Sequence, residues 1–164
     1  MSAMIELSAS KTLLLAAISF GAVSTNVATL YAVPDSTNVT EKSLTVSIPT
    51  TFPPAPQGPS GQVANTNSSS FKLGDGSSAL FIFANLNGTI STWNSGNESA
   101  ATTEATIPGA SFAGLAINQA DTMLYAATDA TGAIDVFNSS FVKVNTPGKF
   151  VDPRLPKGYV PFNV

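Results

Sequence analysis

Residues 80–95 read LFIFANLNGTISTWNS, and residues 124–139 read LYAATDATGAIDVFNS. Displaced by 44 positions, Leu80 falls on Leu124, Gly88 on Gly132, Ile90 on Ile134, Asn94 on Asn138 and Ser95 on Ser139. Phe81/Tyr125, Asn85/Asp129 and Trp93/Phe137 are conservative pairs at the same displacement. Each copy is an apolar run, a polar turn ending in Gly, a β-branched and aromatic run, then Asn-Ser. That is a β-hairpin written twice, and a strand-rich period near ~45 residues is the signature of propeller blades. The expected fold is all-β: a partial β-propeller of about two to three four-stranded antiparallel blades.

Composition agrees with that expectation. A chain of 164 residues can bury a core as one domain. Only 10 % of residues are charged, with 12 Gly and 11 Pro, a mix suited to short strands and tight turns and unsuited to a helical bundle. The net charge of −3 is scattered, with no basic patch to track a phosphate backbone, so a nucleic-acid partner is not expected. The chain contains neither Cys nor His. Disulfides, thiolate chemistry, Ser-His-Asp and Cys-His nucleophile systems and His-ligated metal sites are therefore excluded.

Outward from the hairpins, short strands open each blade at Gly61–Asn65 (GQVAN) and Gly114–Asn118 (GLAIN). Before the first hairpin lie a polar loop at 66–70, a short strand at 71–73 and a Gly74-Asp75-Gly76 turn; Glu104–Ile107 closes the blade. Asn87-Gly88 is a favourable hairpin-turn dipeptide. The next blade is expected to run Phe112–Asn118, Met123–Thr128, Ala133–Phe137 and Phe141–Val144. Blade strands are covered on both faces, which explains why Leu80–Ala84 is continuously apolar and not alternating. Trp93 and Phe137 accordingly read as inter-blade core, not as a sugar-stacking platform.

Nearer the N-terminus, Leu44, Val46 and Ile48 alternate with polar residues, a half-buried strand after Val27–Val33. The five prolines of Pro49–Pro59 cannot serve a sheet ladder and mark a connector, with an SH3-type ligand as the functional alternative. Residues 12–23 form the longest apolar stretch, too short to span a bilayer, so no transmembrane segment is expected. Two readings stand for residues 1–28: a signal peptide, or a remnant first-blade strand. The remainder, 29–164, divides into blades at approximately 29–60, 61–110 and 111–148, with a further blade starting at 158–164.

From Ser43 onward the chain resembles a family of uncharacterised, mostly secreted β-propeller proteins with NHL/YVTN-like repeats. The stretches that carry the resemblance are SLTVSIPT with the Pro-rich loop and PSGQVAN, the two hairpins, and the terminal VDPRLPKGYVPFNV. Phe150, Asp152, Pro153, Leu155, Pro156 and Gly158 supply a family run that precedes the next blade, with Val151 inserted. The resemblance implies a secreted or cell-surface location and carries over no catalytic residue. It also implies a longer, closed ring, of ~250 residues or more. The chain thus reads as a truncated member, with a half-propeller completed by self-association as the alternative.

Sequons stand at Asn38, Asn67, Asn87, Asn97 and Asn138. Asn87 and Asn138 also have turn roles in the repeat, so Asn38, Asn67 and Asn97 are the expected glycan sites. Asp129 and Asp135 flank a hairpin turn but lack the oxygen density calcium wants, and read as a turn Asp and a strand Asp. Asn118 to Asp121 sits where related propeller lactonases hold calcium, but one blade supplies few ligands. The chain therefore reads as a non-enzymatic binding or structural module, with a calcium-dependent propeller hydrolase, lactonase or lyase as the alternative. No resident cofactor is expected under the first reading, and calcium under the second.

Overall fold

The computed structural model describes residues 13–17, 26–35, 38–49, 58–97, 99–147, 150, 154 and 156–164. Its strands, in chain order, are β1 (Leu13–Ala17), β2 (Val27–Asp35), β3 (Asn38–Ser47), β4 (Pro59–Ala64), β5 (Phe81–Asn85), β6 (Thr89–Trp93), β7 (Thr102–Thr106), β8 (Phe112–Ile117), β9 (Met123–Thr128), β10 (Ala133–Asn138) and β11 (Lys143–Val144). They form three antiparallel meanders: β1-β2-β3, then β4-β5-β6-β7, then β8-β9-β10-β11. The chain is all-β and partially propeller-like, with two four-stranded sheets and a three-stranded one among the described residues.

The apolar run of β5 shows why the sheets stack. Side chains alternate along a strand, so Phe81 and Phe83 point one way and Ile82 and Ala84 the other. Phe81 and Phe83, with Trp93, pack against Ala28, Leu30, Val46 and Ile48 of the first sheet. Ile82 and Ala84, with Ile90, pack against Phe112, Leu115, Leu124 and Phe137 of the third. All five residues of β5 are buried, as a strand sandwiched between two sheets must be. Trp93 and Phe137 take equivalent places, each on the face turned toward the preceding sheet. Burying aromatic side chains of this size stabilises the stack by about 1.5–3 kcal/mol each.

The pairing also corrects the alignment of the two hairpins. Phe81 pairs with Trp93, whereas Leu124 pairs with Phe137. Phe81 therefore corresponds to Leu124, not to Tyr125, and the displacement along β5 and β9 is 43 residues, not 44 (124 − 81). The missing residue is in the turns: Leu86–Gly88 is a three-residue loop, and Asp129–Gly132 holds one more residue. Both end on a glycine with positive φ, 77° at Gly88 and 69° at Gly132, so the second strands return to a displacement of 44. In the same register Ile82 matches Tyr125, Ala84 matches Ala127, and Asn85 matches Thr128.

The opening strands repeat as well. Each carries a bulge at its start, between Pro59 and Gly61 in β4 and between Phe112 and Gly114 in β8. In both strands the glycine that ends the bulge is the point of close approach to the next element. A Cβ on Gly61 would lie 2.8 Å from the carbonyl carbon of Gly114, so only glycine admits β8 there. One sheet further on, a Cβ on Gly114 would lie 2.9 Å from Cα of Asn163. The segment 160–164 thus rests on β8 as β8 rests on β4. The Ser60 hydroxyl, at the bulge, donates to the Ala84 carbonyl at 3.1 Å and also to that of Phe112, tying the two sheets together.

Several elements differ from the sequence expectation. Residues 71–73 form no strand; Lys72 makes a single bridge to Ser78, because Phe71 adopts φ 51° and breaks the extended path. Phe141 does the same at φ 59°, so β11 begins at Lys143 and not at Phe141. These two phenylalanines meet with ring centroids 5.2 Å apart, and the Phe71 amide donates to the Ser139 carbonyl at 2.9 Å. Leu13–Ala17 pairs with Ala17 opposite Thr29 and Leu13 opposite Val33, as an added strand of the first sheet. β2 runs on past the expected end at Val33 to Asp35, and β3 already begins at Asn38, ahead of the alternating Leu44, Val46 and Ile48. Most of the Pro-rich connector lies outside the described residues, as do Val151 to Pro153 and Leu155 of the terminal motif.

Candidate functional site

The polar residues of the repeat collect at strand ends, and most of their hydrogen-bonding capacity is consumed there. Asn65, buried after β4, donates to Ser78 Oγ at 2.9 Å and to the Ala79 carbonyl at 2.9 Å, while its Oδ1 accepts from the Asn67 amide. Asn118, its counterpart after β8, accepts through Oδ1 from the amides of Thr122 and Met123. Asn94 and Asn138 close the other ends, accepting from Gly96 and from Ser140 and Val142 respectively. Such Asx turns satisfy backbone donors that leave a strand without a partner.

Asp121, the acidic residue of the segment from Asn118, faces the neighbouring sheet. Its Oδ2 accepts from the Thr66 amide at 2.8 Å and the Thr66 hydroxyl at 2.6 Å. Ser70 donates to the Asp121 carbonyl, and Asn67 Nδ2 to that of Ala120. This is a clamp between two sheets, held with Asp121 at φ 50°. Its Oδ2 and its backbone carbonyl both accept from donors of the neighbouring sheet's loop. Among the described residues, no three acidic side chains gather at a spacing that holds a metal ion.

The two carboxylates of the second hairpin part company. Asp129 is exposed in the loop, whereas Asp135 is buried on β10 and makes an ion pair of 2.6 Å with Lys143 of β11. The register explains the contact: Lys143 lies opposite Phe137, and Asp135 shares that face two residues away. The pair lines a cavity of about 340 Å³ with Ile134, Asn145, Thr146 and Phe150. A buried carboxylate costs desolvation, which the lysine offsets. Such a pair can hold a polar group at the cavity wall. Sequence reasoning missed Lys143; in so weakly charged a chain, one Lys facing one Asp across a short hairpin was the signal that could have found it.

A second cleft, of about 370 Å³, lies between the Asp75 turn and Asn94. Ser77 donates to Asp75 through both its hydroxyl and its amide. The hydroxyl bond, then the amide bond, hold the Asp75 carboxyl below its ordinary value of 3.8. The expected glycan sites are dispersed. Asn38 is exposed where β3 begins, Asn97 ends a single 3₁₀ turn at Ser95–Asn97, and Asn67 is half-buried with its amide engaged in the clamp. No protein-family model matches the chain, and no curated protein matches it.

Proposed function

We propose that this chain is a non-enzymatic binding or structural module of the secreted or cell-surface propeller kind, akin to the proteins with NHL/YVTN-like repeats. The observation that carries the reading is where the carboxylates go. Asp121 is spent on Thr66, Asp135 on Lys143 and Asp75 on Ser77, each within a turn or between strands. Each of these three carboxylates is held by a contact of the fold, and among the described residues no three acidic side chains gather at one position. The absence of His and Cys from the sequence supports the same reading, because the common nucleophile systems need one or the other.

The test is thermal unfolding in rising calcium, with magnesium as the control. A binding or structural module of this kind should melt at the same temperature throughout. A calcium-dependent enzyme would gain about 2.7 kcal/mol at a hundredfold excess over its Kd, roughly 5–10 °C for a chain of this size. A calcium-specific rise of that order would replace the module reading with the hydrolase one.

A further inference from the structure

The two four-stranded sheets join their first and second strands in different ways. Residues 118–122 suffice between β8 and β9, whereas 65–80 intervene between β4 and β5, with no strand among them and a single bridge, Lys72 to Ser78. The third sheet thus shows that the repeat forms without such a loop. The neck of the loop is closed: the Asn65 amide donates to the Leu80 carbonyl at 2.9 Å, and Asn65 Nδ2 reaches Ser78 Oγ and the Ala79 carbonyl. A compact loop with joined ends can move as a body without shifting the register of the strands it connects. From this neck the loop crosses to the turns of the third sheet. Thr66 donates twice to Asp121 Oδ2, Asn67 to the Ala120 carbonyl, Ser70 to the Asp121 carbonyl, and the Phe71 amide to the Ser139 carbonyl. The rings of Phe71 and Phe141, both buried, lie with centroids 5.2 Å apart.

We infer that residues 66–79 are a strained latch, which fastens the turns of the third sheet in an all-or-none contact and opens as one unit while β4 and β5 stay paired. Among the described residues, the non-glycine residues with positive φ are Phe71 (51°), Asp121 (50°) and Phe141 (59°), and all three lie on this seam. A side chain in the left-handed region costs free energy and persists only where its surroundings over-determine it. Here the surroundings belong to two elements, so each holds the other's strain. Asp121 receives Thr66 and Ser70 through different oxygens, so one backbone conformation serves both bonds. The next peptide carries the Phe71 amide, which cannot stay on Ser139 if Ser70 swings away. Losing one contact therefore removes part of what holds the rest, as in a cooperative local unit. The two sheets also meet at the starts of β4 and β8, where Ser60 reaches the Phe112 carbonyl and Gly61 abuts Gly114. The latch closes past the far ends of those strands, so its release leaves the sheets joined and uncovers the Phe71 and Phe141 rings. The inference goes beyond the module reading and does not rest on it.

Native-state hydrogen exchange on the full chain, read by NMR, is the test. The Thr66 and Phe71 amides have acceptors on different turns, Asp121 and Ser139. Corrected for intrinsic rates, they should share one protection factor to within about threefold, at least about tenfold below the ladder amides of β5. Asp121→Ala removes the acceptor of Thr66 and puts a less tolerant residue at positive φ. It should lower the protection of the Phe71 amide, which it does not touch, by about tenfold. Asp121→Asn keeps an acceptor oxygen on a residue that enters the left-handed region readily, and should retain most of that protection. Thr66 and Phe71 exchanging at unrelated rates, or both only as slowly as the β5 ladder, would overturn the latch. So would a Phe71 amide indifferent to Asp121→Ala, or an Asp121→Asn chain as loosened as Asp121→Ala. The first comparison needs no substitution, so a variant that fails to fold leaves the decision with the parent chain.

Discussion

The middle and third sheets are two versions of one sentence, and they differ in what lies beyond them. Both begin with a bulged strand, both turn on a positive-φ glycine, and both close the third strand on Asn-Ser. The middle sheet is enclosed on both sides, and its side chains Phe81, Ile82, Phe83 and Ile90 are fully shielded. The third sheet is enclosed on one side and, among the described residues, only partly covered on the other, by Phe150 and Asn163, and its outward residues are smaller or amphipathic. Ile82 becomes Tyr125 and Val63 becomes Ala116, while Ile90 remains isoleucine as Ile134. The repeat fixes backbone geometry; the neighbour sets how much each side chain is worth.

Ile90 and Ile134 break or support that claim most directly, being the same residue at the same repeat position. Ile90→Ala should leave a cavity that the surrounding sheets cannot collapse, and destabilise the chain by about 3–4 kcal/mol. Ile134→Ala removes the same atoms from a half-buried position that borders a cavity solvent can enter. We expect a loss of about 1 kcal/mol. Urea denaturation of both variants gives the comparison. Equal losses would mean that the third sheet is as enclosed as the middle one.

Gly61 and Gly114 sharpen the comparison at the strands that open the two sheets. In Gly61→Ala the new methyl meets the backbone of Gly114 and Leu115, which a sheet holds in place. The expected cost is about 2–3 kcal/mol, within the range for overpacking a tight contact. In Gly114→Ala it meets Asn163, in a segment with no ladder to hold it among the described residues. That segment can move aside, and the cost should be below about 1 kcal/mol. A Gly114→Ala loss as large as that of Gly61→Ala would show that residues 160–164 are anchored like a true sheet strand.

Much of this was legible in the sequence because it depends on local pattern. The strands β5, β6, β9 and β10 follow from apolar runs bounded by turn residues, and the two-faced burial of β5 follows from its lack of alternation. The frame of the alignment was not legible. Leu80 over Leu124 is an identity that tempts a uniform displacement, and nothing in the composition shows that one loop holds an extra residue. Only the ladder reveals it, by pairing Leu124 with Phe137. The inter-sheet contacts were equally hidden. That Thr66 and Asp121 meet, 55 residues apart, depends on how two sheets stack, and neither residue carries a mark of it. Phe71 and Phe141 misled for a related reason: an aromatic residue in a β-prone stretch is ordinarily extended, and a tertiary ring contact holds both at positive φ.

The smallest expected effect is at the connections between first and second strands, where the sheets diverge. The third sheet crosses from β8 to β9 by the short turn after Asn118; the middle sheet makes a long excursion from Asn65 to Leu80, with Asp75 in its tight turn. The Asp75 carboxyl accepts from the Ser77 hydroxyl and amide, and both bonds favour its charged form. Its folded-state pKa is therefore depressed, so its contribution to stability is present above the unfolded value near 3.8 and is lost as pH falls through the lower folded value. A carbon-detected NMR titration should place the Asp75 midpoint below 3.8, and Ser77→Ala, which removes the larger of the two causes, should bring it back toward that value. Because Asp75 is exposed, the accompanying change in global stability should be slight. A midpoint unmoved by Ser77→Ala would mean that the turn is held by its backbone alone, and that the longer connection is as self-sufficient as the short one.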